Sequence, residues 1–452
     1  AKITLSTSLN LDLTVNPDFS QVEVDRQVTN LDRFELFFPE RRQFFLENSD
    51  QFASLGSENI RPFFSRRIGL DSPVRAGARL SGQLSEKWRI GVMNIQTGNR
   101  DSIPASNFTV ASVRKKIFAR SNIGAFLVNK QVTGNGEEGN YAGPKYNRVA
   151  GVDLNLASAD NRWTGKAFYH QSLYSGASGD AFVLAGEATY STQQFEAQWK
   201  HTYVGSDYRS EVGFVRRTGF HQINPSVEYK LFPPSNTIIS HGPELQLDLF
   251  YKPDFSLTDR EIDLGYEIRW LNRSELSVGF EEGFVKLQAP FDPTNSGGDT
   301  LATGSEFHWT EVNLSYDSDS RKAFNYEIAA RYGGFFNGTR LSLGAEANYR
   351  VQPYGSLALD ASFNRISLPE PFRSADFWLI GPRLDLTFTD KLFFTTFVQY
   401  NEQADNLNVN MRFQWRFAPV SDLFIVYTDN SFPENLQTKN RALVVKLSYW
   451  LN

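Results

Sequence analysis

The stretch Leu407–Phe417 reads Leu-Asn-Val-Asn-Met-Arg-Phe-Gln-Trp-Arg-Phe. Leu407, Val409, Met411, Phe413, Trp415 and Phe417 are apolar, and Asn408, Asn410, Arg412, Gln414 and Arg416 between them are polar. A period of two places the sets on opposite faces of a β-strand, whereas a helix would spread both around its axis. About 9 to 11 tilted residues suffice for a strand to cross the hydrocarbon layer of a bilayer. A half-buried strand of a soluble sandwich also alternates, so repetition decides. Ile262, Leu264, Tyr266, Ile268 and Trp270 alternate with Asp263, Gly265, Glu267 and Arg269, and Phe195–Tyr203, Leu245–Tyr251, Phe324–Tyr332 and Leu341–Val351 behave alike. Strands of sandwiches and propellers are typically about 5 or 6 residues, shorter than these. The expected fold class is all-β: a large transmembrane antiparallel β-barrel of about 22–24 strands.

A chain of 452 residues would ordinarily form two or three soluble domains, yet the same pattern runs from end to end without a linker-like break. A mean hydropathy of -0.40 and the lack of a long apolar run exclude transmembrane helices. They leave a barrel open, since its lumen side is polar. The absence of Cys fits a chain that crosses the periplasm, and a net charge of -5 argues against nucleic acid as a partner. Ala1 opens almost directly onto Ile3, Leu5, Leu9, Leu11 and Leu13, which reads as a mature or trimmed chain.

Connections alternate short and long. Glu86–Lys87, Ala159–Asn161, Gln352–Tyr354, Thr389–Lys391 and Ala418–Pro419 are short; Thr97–Ser106, Thr133–Lys145, Leu287–Glu306, Ile366–Ser374 and Asp429–Asn440 are long. Outer-membrane barrels have short periplasmic turns and longer external loops, so the C-terminus is expected in the periplasm of a multi-pass outer-membrane protein. About 23 candidate strands can be counted where an even number is expected. The parity slips once, between Gly205 and Pro253, where Phe214–Gly219 and Pro233–Pro234 each read as a turn or a bulge. Trp88, Tyr190, Tyr203, Trp270, Tyr316, Tyr349, Tyr400, Trp415, Tyr449 and Trp450 fall near strand ends, the level of interfacial aromatic girdles.

Residues 1–15 are expected to form the first barrel strand, 16–70 a plug-like segment inside the lumen, and 71–452 the remaining barrel. The middle stretch lacks alternation and interleaves aromatic pairs with charge: Asp18, Phe19, Glu23, Phe37, Phe38, Glu40, Arg41, Arg42, Phe44, Phe45, Arg66 and Arg67. It is too sticky for a free loop and too polar to face lipid, which leaves the lumen or a small periplasmic or surface subdomain. Asp263, Glu267, Arg269, Arg331, Arg350, Arg383, Asp385, Arg412 and Arg416 fall on the expected lumen face. Mixed charge there suits pairing with the plug better than a strongly ion-selective pore.

No catalytic, cofactor or metal residues are assigned, and no enzyme activity is expected. His170, His201, His221, His241 and His308 are spread singly, and neither a His-Glu-x-x-His nor a Gly-x-Ser-x-Gly motif is present. His201 reads as a girdle residue and His170 as a structural residue on the other face. The loop Asp292–Asp299 lacks the alternating ligands of an EF-hand.

The run Asn16-Pro17-Asp18-Phe19-Ser20-Gln21-Val22-Glu23, then Phe37-Phe38-Pro39-Glu40-Arg41-Arg42, Phe44-Phe45-Leu46-Glu47 and Phe64-Ser65-Arg66-Arg67-Ile68-Gly69, resembles the signature of a Bacteroidetes family. Gly213–Thr218 and Ser421–Tyr427 look like further landmarks of it. Its members are large outer-membrane proteins known only as a domain of unknown function, commonly preceded by a carbohydrate-binding module similar to family 9. The resemblance implies a fold and a compartment, with any glycan ligand bound through a module before Ala1.

The function expected is a gated channel or translocation barrel, linked through the resemblance to carbohydrate binding or uptake. Its partners would be outer-membrane lipids and a lipoprotein or secretion-machinery component. A TonB-dependent receptor would carry a longer plug ahead of its first strand, which counts against TonB-driven import. The alternatives are a closed barrel scaffold that anchors such partners, and an outer-membrane hydrolase.

Overall fold

The computed structural model describes residues 1–17, 25–70, 72–134, 143–177 and 179–450. Asp18, Phe19 and Glu23 lie outside the described residues. The described chain is all-β: one antiparallel sheet of 23 strands, with a two-stranded sheet beside it. Within the large sheet, strands that follow one another along the chain pair, as Asn406–Ala418 with Ser421–Ser431, and Leu9–Val15 pairs with Val74–Gln83 across the intervening 16–73. Most are 10 to 15 residues long.

The count is odd where an even one was expected. Residues 1–15 form two strands, Lys2–Ser6 and Leu9–Val15, joined in a hairpin. Its register sets Ile3 opposite Leu11, so odd positions keep one face through the turn and parity cannot reveal it. The suspected slip after Gly205 is a loop. Phe214–Val215 leaves the large sheet and pairs with Ile60–Arg61 in the small one.

Asn406–Ala418 shows how the sheet is solvated. Asn406, Asn408 and Asn410 are buried, while Met411 and Trp415 are 41% and 46% exposed. The Asn406 and Asn408 amides both donate to Oδ1 of Asn430, and Asn410 donates to Thr428. Polar side chains hydrogen-bond to one another on one face and apolar ones stand bare on the other. A soluble sheet would arrange them the other way round.

The chain divides into two compact units. Unit 1 comprises Ala1–Phe19, Phe34–Val227 and Asp248–Leu257; unit 2 comprises Ser20–Arg33, Glu228–Leu247 and Thr258–Asn452. The stretch 16–70, expected as one plug, is therefore shared: Phe34–Leu70 belongs to unit 1, and the described residues 25–33 to unit 2.

In unit 1 the bare face carries two rows of rings. Trp163, Tyr190 and Phe195 stand at the end with the short turns, their centroids 4.9 and 6.4 Å apart. Tyr169, Phe182 and Tyr203 run along the other end, 5.9 and 5.2 Å apart. From Phe195 to Tyr203 is roughly 26 Å of extended chain, about the height of an apolar membrane band before tilt. In unit 2, Trp270, Tyr316, Tyr326 and Phe324 form a similar row at the turn end.

Candidate functional site

In unit 1, Phe34–Leu70 lies against one face of the sheet. It folds into the short helices Gln43–Leu46 and Asp50–Ala53, then the strand Ile60–Arg61. Phe45, Phe52, Leu55, Ile60, Phe63 and Ile68 are buried in one cluster with Met93, Ile95, Val110, Val128, Val149 and Val183 of the strands. Burying one such side chain contributes about 1.5–3 kcal/mol. Gly91 admits the close approach: a Cβ there would lie 2.8 Å from the Phe52 ring. Phe37, Phe64 and Phe214 pack with centroids 5.0 to 5.8 Å apart, so the two-stranded sheet is also an aromatic clamp.

Polar contacts fix the register of this cover. Arg79, on the strand Val74–Gln83, is 1% exposed. Its guanidinium meets Asp12 at 2.7 Å and Glu47 at 2.9 Å, and donates to the carbonyls of Phe44 and Glu47. Arg89 pairs with Asp50 at 2.7 Å. Within the segment Glu40 accepts from Arg42 and from the Ser65 hydroxyl. Burial alone would raise the Glu40 carboxyl, but the hydrogen bonds and charge of Arg42, with Ser65, hold it below its ordinary range. Arg67 pairs with Glu35 at 2.6 Å and donates to the Gly213 carbonyl. Arg66 donates to the Pro39 carbonyl, and its guanidinium lies 6.0 Å from the Phe38 ring. Arg41 donates its backbone N–H to Glu40, Phe44 stacks edge-on against Phe45, and Arg42 lies over Phe45 at 4.4 Å.

Beneath the cover sits a polar pair of which the sequence singled out His170, as a structural residue, but not its partner Asp153. His170 is fully buried between Phe168 and Phe126, with Nε2 3.1 Å from Asp153. Its Nδ1 meets no partner, so the ring proton belongs on Nε2, donated to the carboxylate. Asp153 also accepts the backbone N–H of Gly56. The strand is thereby tied to the turn of the covering segment, and the role of His170 is structural.

At the long-connection end of unit 1 a cavity of about 520 Å³ opens between the segment and the loop after Val204. Arg67, Ser72, Lys130, Tyr208, Arg209 and Glu211 line it. Glu211 holds Lys130 at 2.7 Å and Arg209 at 2.6 Å. None of these except Arg67 was singled out from sequence. The one signal was the broken alternation after Gly205, which marked the loop without indicating what it lines.

On the bare face of the same unit, His201 and His221 come within 5.6 Å of each other, and His221 lies 4.5 Å from Tyr203. They stand at the edge of a groove of about 960 Å³ over Gly165, Gly186 and Ala188. Sequence spacing had kept these histidines apart.

In unit 2 the described residues of the stretch, 25–33, meet the sheet mainly through polar contacts, with Leu31 packed against the apolar cluster of Val285, Leu287 and Leu301. Arg33 pairs with Asp259, Arg26 with Asp360 at 2.9 Å, and the Gln27 and Asn30 backbones exchange hydrogen bonds with Gln399 and Gln403. The charges expected on the lumen face pair along the wall. Arg269 meets Glu267 and Glu275 at 3.0 and 2.8 Å, Arg383 meets Asp385 at 2.8 Å, and Arg416 meets Asp422 at 3.3 Å. Arg331 and Arg340 converge on the buried Glu311 at 3.1 and 3.0 Å. Asp263 lies beside Glu281 and Glu261. Arg350 donates to the Ser320 and Lys322 carbonyls, and Arg412 stands opposite Thr395. Among the described residues, ion pairs between wall and segment form through Arg26, Arg33, Glu47 and Asp50, which were not among the charges expected to make them. In the loop after Phe291, Asp292 accepts from Thr294, Ser296 and Gly298, so its carboxylate is taken up by its own turn.

The 23-stranded sheet has counterparts among solved structures. The crystal structure of the siderophore receptor PirA from Pseudomonas aeruginosa aligns with a TM-score of 0.52 at 13% identity, over 83% of this chain and 76% of that one. At that identity the likeness concerns the fold. The sequence matches the family described as "Domain of unknown function (DUF5916)" over residues 1–87 and 76–370. The chain belongs to that family. Among curated proteins none matches it.

Proposed function

We propose that this chain is an outer-membrane β-barrel with its C-terminus in the periplasm, a gated passage whose lumen is closed at rest by Phe34–Leu70. The observation that carries the reading is the pairing of a bare apolar face, banded by rings at both ends in unit 1, with an opposite face covered by a segment of the same chain. Apolar side chains exposed over such an area are stable in lipid. The fold shared with a siderophore receptor supports a role in moving a solute across the outer membrane. The Bacteroidetes origin and the preceding carbohydrate-binding module belong to the same proposal.

The test uses the natural lack of cysteine. Ser54 of the segment and Arg114 of the wall touch at 2.6 Å. Cysteines at both positions, bridged by a bis-methanethiosulfonate linker that forms a reducible disulfide with each thiol and releases sulfinate, hold the segment in place. In planar bilayers the linked protein is expected to stay silent and to conduct once the linker is reduced. A second reading, a permanently closed scaffold for an attached module or lipoprotein partner, is favoured by the apolar packing of the segment. It predicts silence in both states.

A further inference from the structure

The groove on the bare face of unit 1 is a dent built by strand register. Gly165 stands opposite Ala188 and Ala167 opposite Gly186, so four small residues meet on neighbouring strands. On the next strand Trp199 and His201 stand opposite Ala188 and Gly186. Trp163, Leu184 and Trp199 project around the dent, each more than half exposed. Its volume of about 960 Å³ is that of a small-molecule pocket. Lys166 and Glu187 alternate with the small residues and turn to the opposite face, where Lys166 donates to the Ser54 carbonyl and Glu187 accepts from Gln198.

Gly186 is not explained by the chain itself. Glycine inside a strand weakens it, and it marks a bulge, a bend or the close approach of another group. The register through Gly186 is unbroken on both sides, and its φ is not positive. A Cβ built there meets no atom within 4 Å. Neither backbone geometry nor packing within the protein requires glycine, which leaves the approach of a group from outside the chain.

The end of the dent nearest the long connections is polar. His201 and His221 lie 5.6 Å apart there, and neither imidazole is hydrogen-bonded among the described residues. Nδ1 of His221 is sealed within the protein, so Nε2 is the nitrogen that a ligand can reach. The nearby Asp180 is taken by the Tyr203 hydroxyl and by the N–H and hydroxyl of Ser206. His221 stacks at 4.4 Å on Phe255 of the connection 252–256, which sets the pair at the level of lipid headgroups.

We propose that this groove holds a phosphorylated diacyl lipid, with one acyl chain over Gly186 and Ala188 and the phosphate accepting hydrogen bonds from His201 and His221. An acyl chain is thin enough to pass between Trp163 and Trp199 and reach the floor, whereas the flat face of a second copy of this chain would rest on those rings. The inference rests on the bare face being turned to lipid and is independent of the gate.

Native mass spectrometry of the full chain released from detergent tests the proposal with three probes: dipalmitoyl phosphatidate, dipalmitoylglycerol and glycerol 3-phosphate. Phosphatidate is expected to bind at least about tenfold more tightly than dipalmitoylglycerol, and glycerol 3-phosphate not at all. Gly186→Leu puts its side chain into the open space of the dent and should weaken phosphatidate binding about tenfold or more. Heat-modified mobility in gels reports whether that variant folds, and Gly186→Ala is the milder form if it does not. His201→Phe with His221→Phe should abolish the preference over dipalmitoylglycerol. Equal binding of the two lipids, phosphatidate binding unchanged by the folded Gly186 variant, or no lipid bound would overturn the proposal. So would a parent that is dimeric where the Gly186 variant is monomeric, since the groove would then seat a second copy. Collision accessibility of spin labels along Leu407–Phe417 is read separately: a lipid-facing result without phosphatidate binding discards the ligand and keeps the membrane reading, and a water-facing result discards both.

Discussion

Unit 1 and unit 2 bury one face of the sheet by opposite means. In unit 1, Met93, Ile95, Val110, Val128 and Val149 are hidden under the phenylalanines of Phe34–Leu70. In unit 2, Glu281, Glu311, Asn408 and Asn410 are hidden among their own neighbours, and the apolar cluster of Val285, Leu287, Leu301, Phe335 and Ile366 sits at the loop ends of the strands. An apolar face needs a cover, because uncovering it exposes hydrocarbon to water. A polar face that pairs largely within itself depends less on one. Loss of the cover is thus resisted chiefly in unit 1, and under the proposed gated passage a trigger would act there.

The largest expected contrast lies between two arginines. Arg79→Met in unit 1 strands the buried Asp12 carboxylate and should destabilise the protein by about 3–5 kcal/mol. Arg383→Met in unit 2 removes a half-exposed pair with Asp385 and should change stability by at most about 1 kcal/mol. Guanidinium unfolding in micelles, followed by tryptophan fluorescence, measures both, and equal losses would erase the distinction between the units.

Phe52→Ala should come next, weakening the seat of the segment by about 3 kcal/mol through the cavity it leaves. Limited proteolysis should then cut within 34–70 while the strands stay intact. If the strands are cut as fast as the segment, the cover is part of the wall and no gate.

A smaller effect follows from pH. The Glu40 carboxyl is held below its ordinary 4.5, so its contribution is complete above that value. It is lost as pH falls through the lower folded value, when the unfolded chain binds the proton first. Segment release, read by thiol labelling at an introduced Ser54→Cys, should rise on acidification in the parent. In Glu40→Gln that step should flatten. The smallest effect is expected for Arg365→Ala, whose exposed pair with Asp376 in unit 2 should leave unfolding unmoved.

Much of the sheet was legible because its bare face repeats every second residue, as in Ile262–Trp270 and Leu407–Phe417. The cover's seat was not. Ile90-Gly91-Val92-Met93-Asn94-Ile95 carries apolar groups on both faces, so alternation fades where the inner face meets Phe52. The charged residues of 16–70 suggested partners across the lumen, yet Glu40, Arg42 and Ser65 satisfy one another over a short span of chain, which periodicity does not weigh. Phe214–Val215 broke parity because its partner is Ile60–Arg61, distant in sequence. Tyr208 and Ser72 carry no pattern at all, and only folding brings them to one cavity.

The claim beneath all of this is that the bare face of the sheet is turned toward lipid. Single cysteines at each position of Leu407–Phe417, spin-labelled in reconstituted vesicles, test it by collision with oxygen, which concentrates in lipid, and with a water-soluble nickel chelate. The account predicts high oxygen and low nickel accessibility at Val409, Met411, Phe413 and Trp415, with the reverse or general protection at the positions between. Nickel accessibility at the apolar positions, or the absence of a two-residue period, would contradict it.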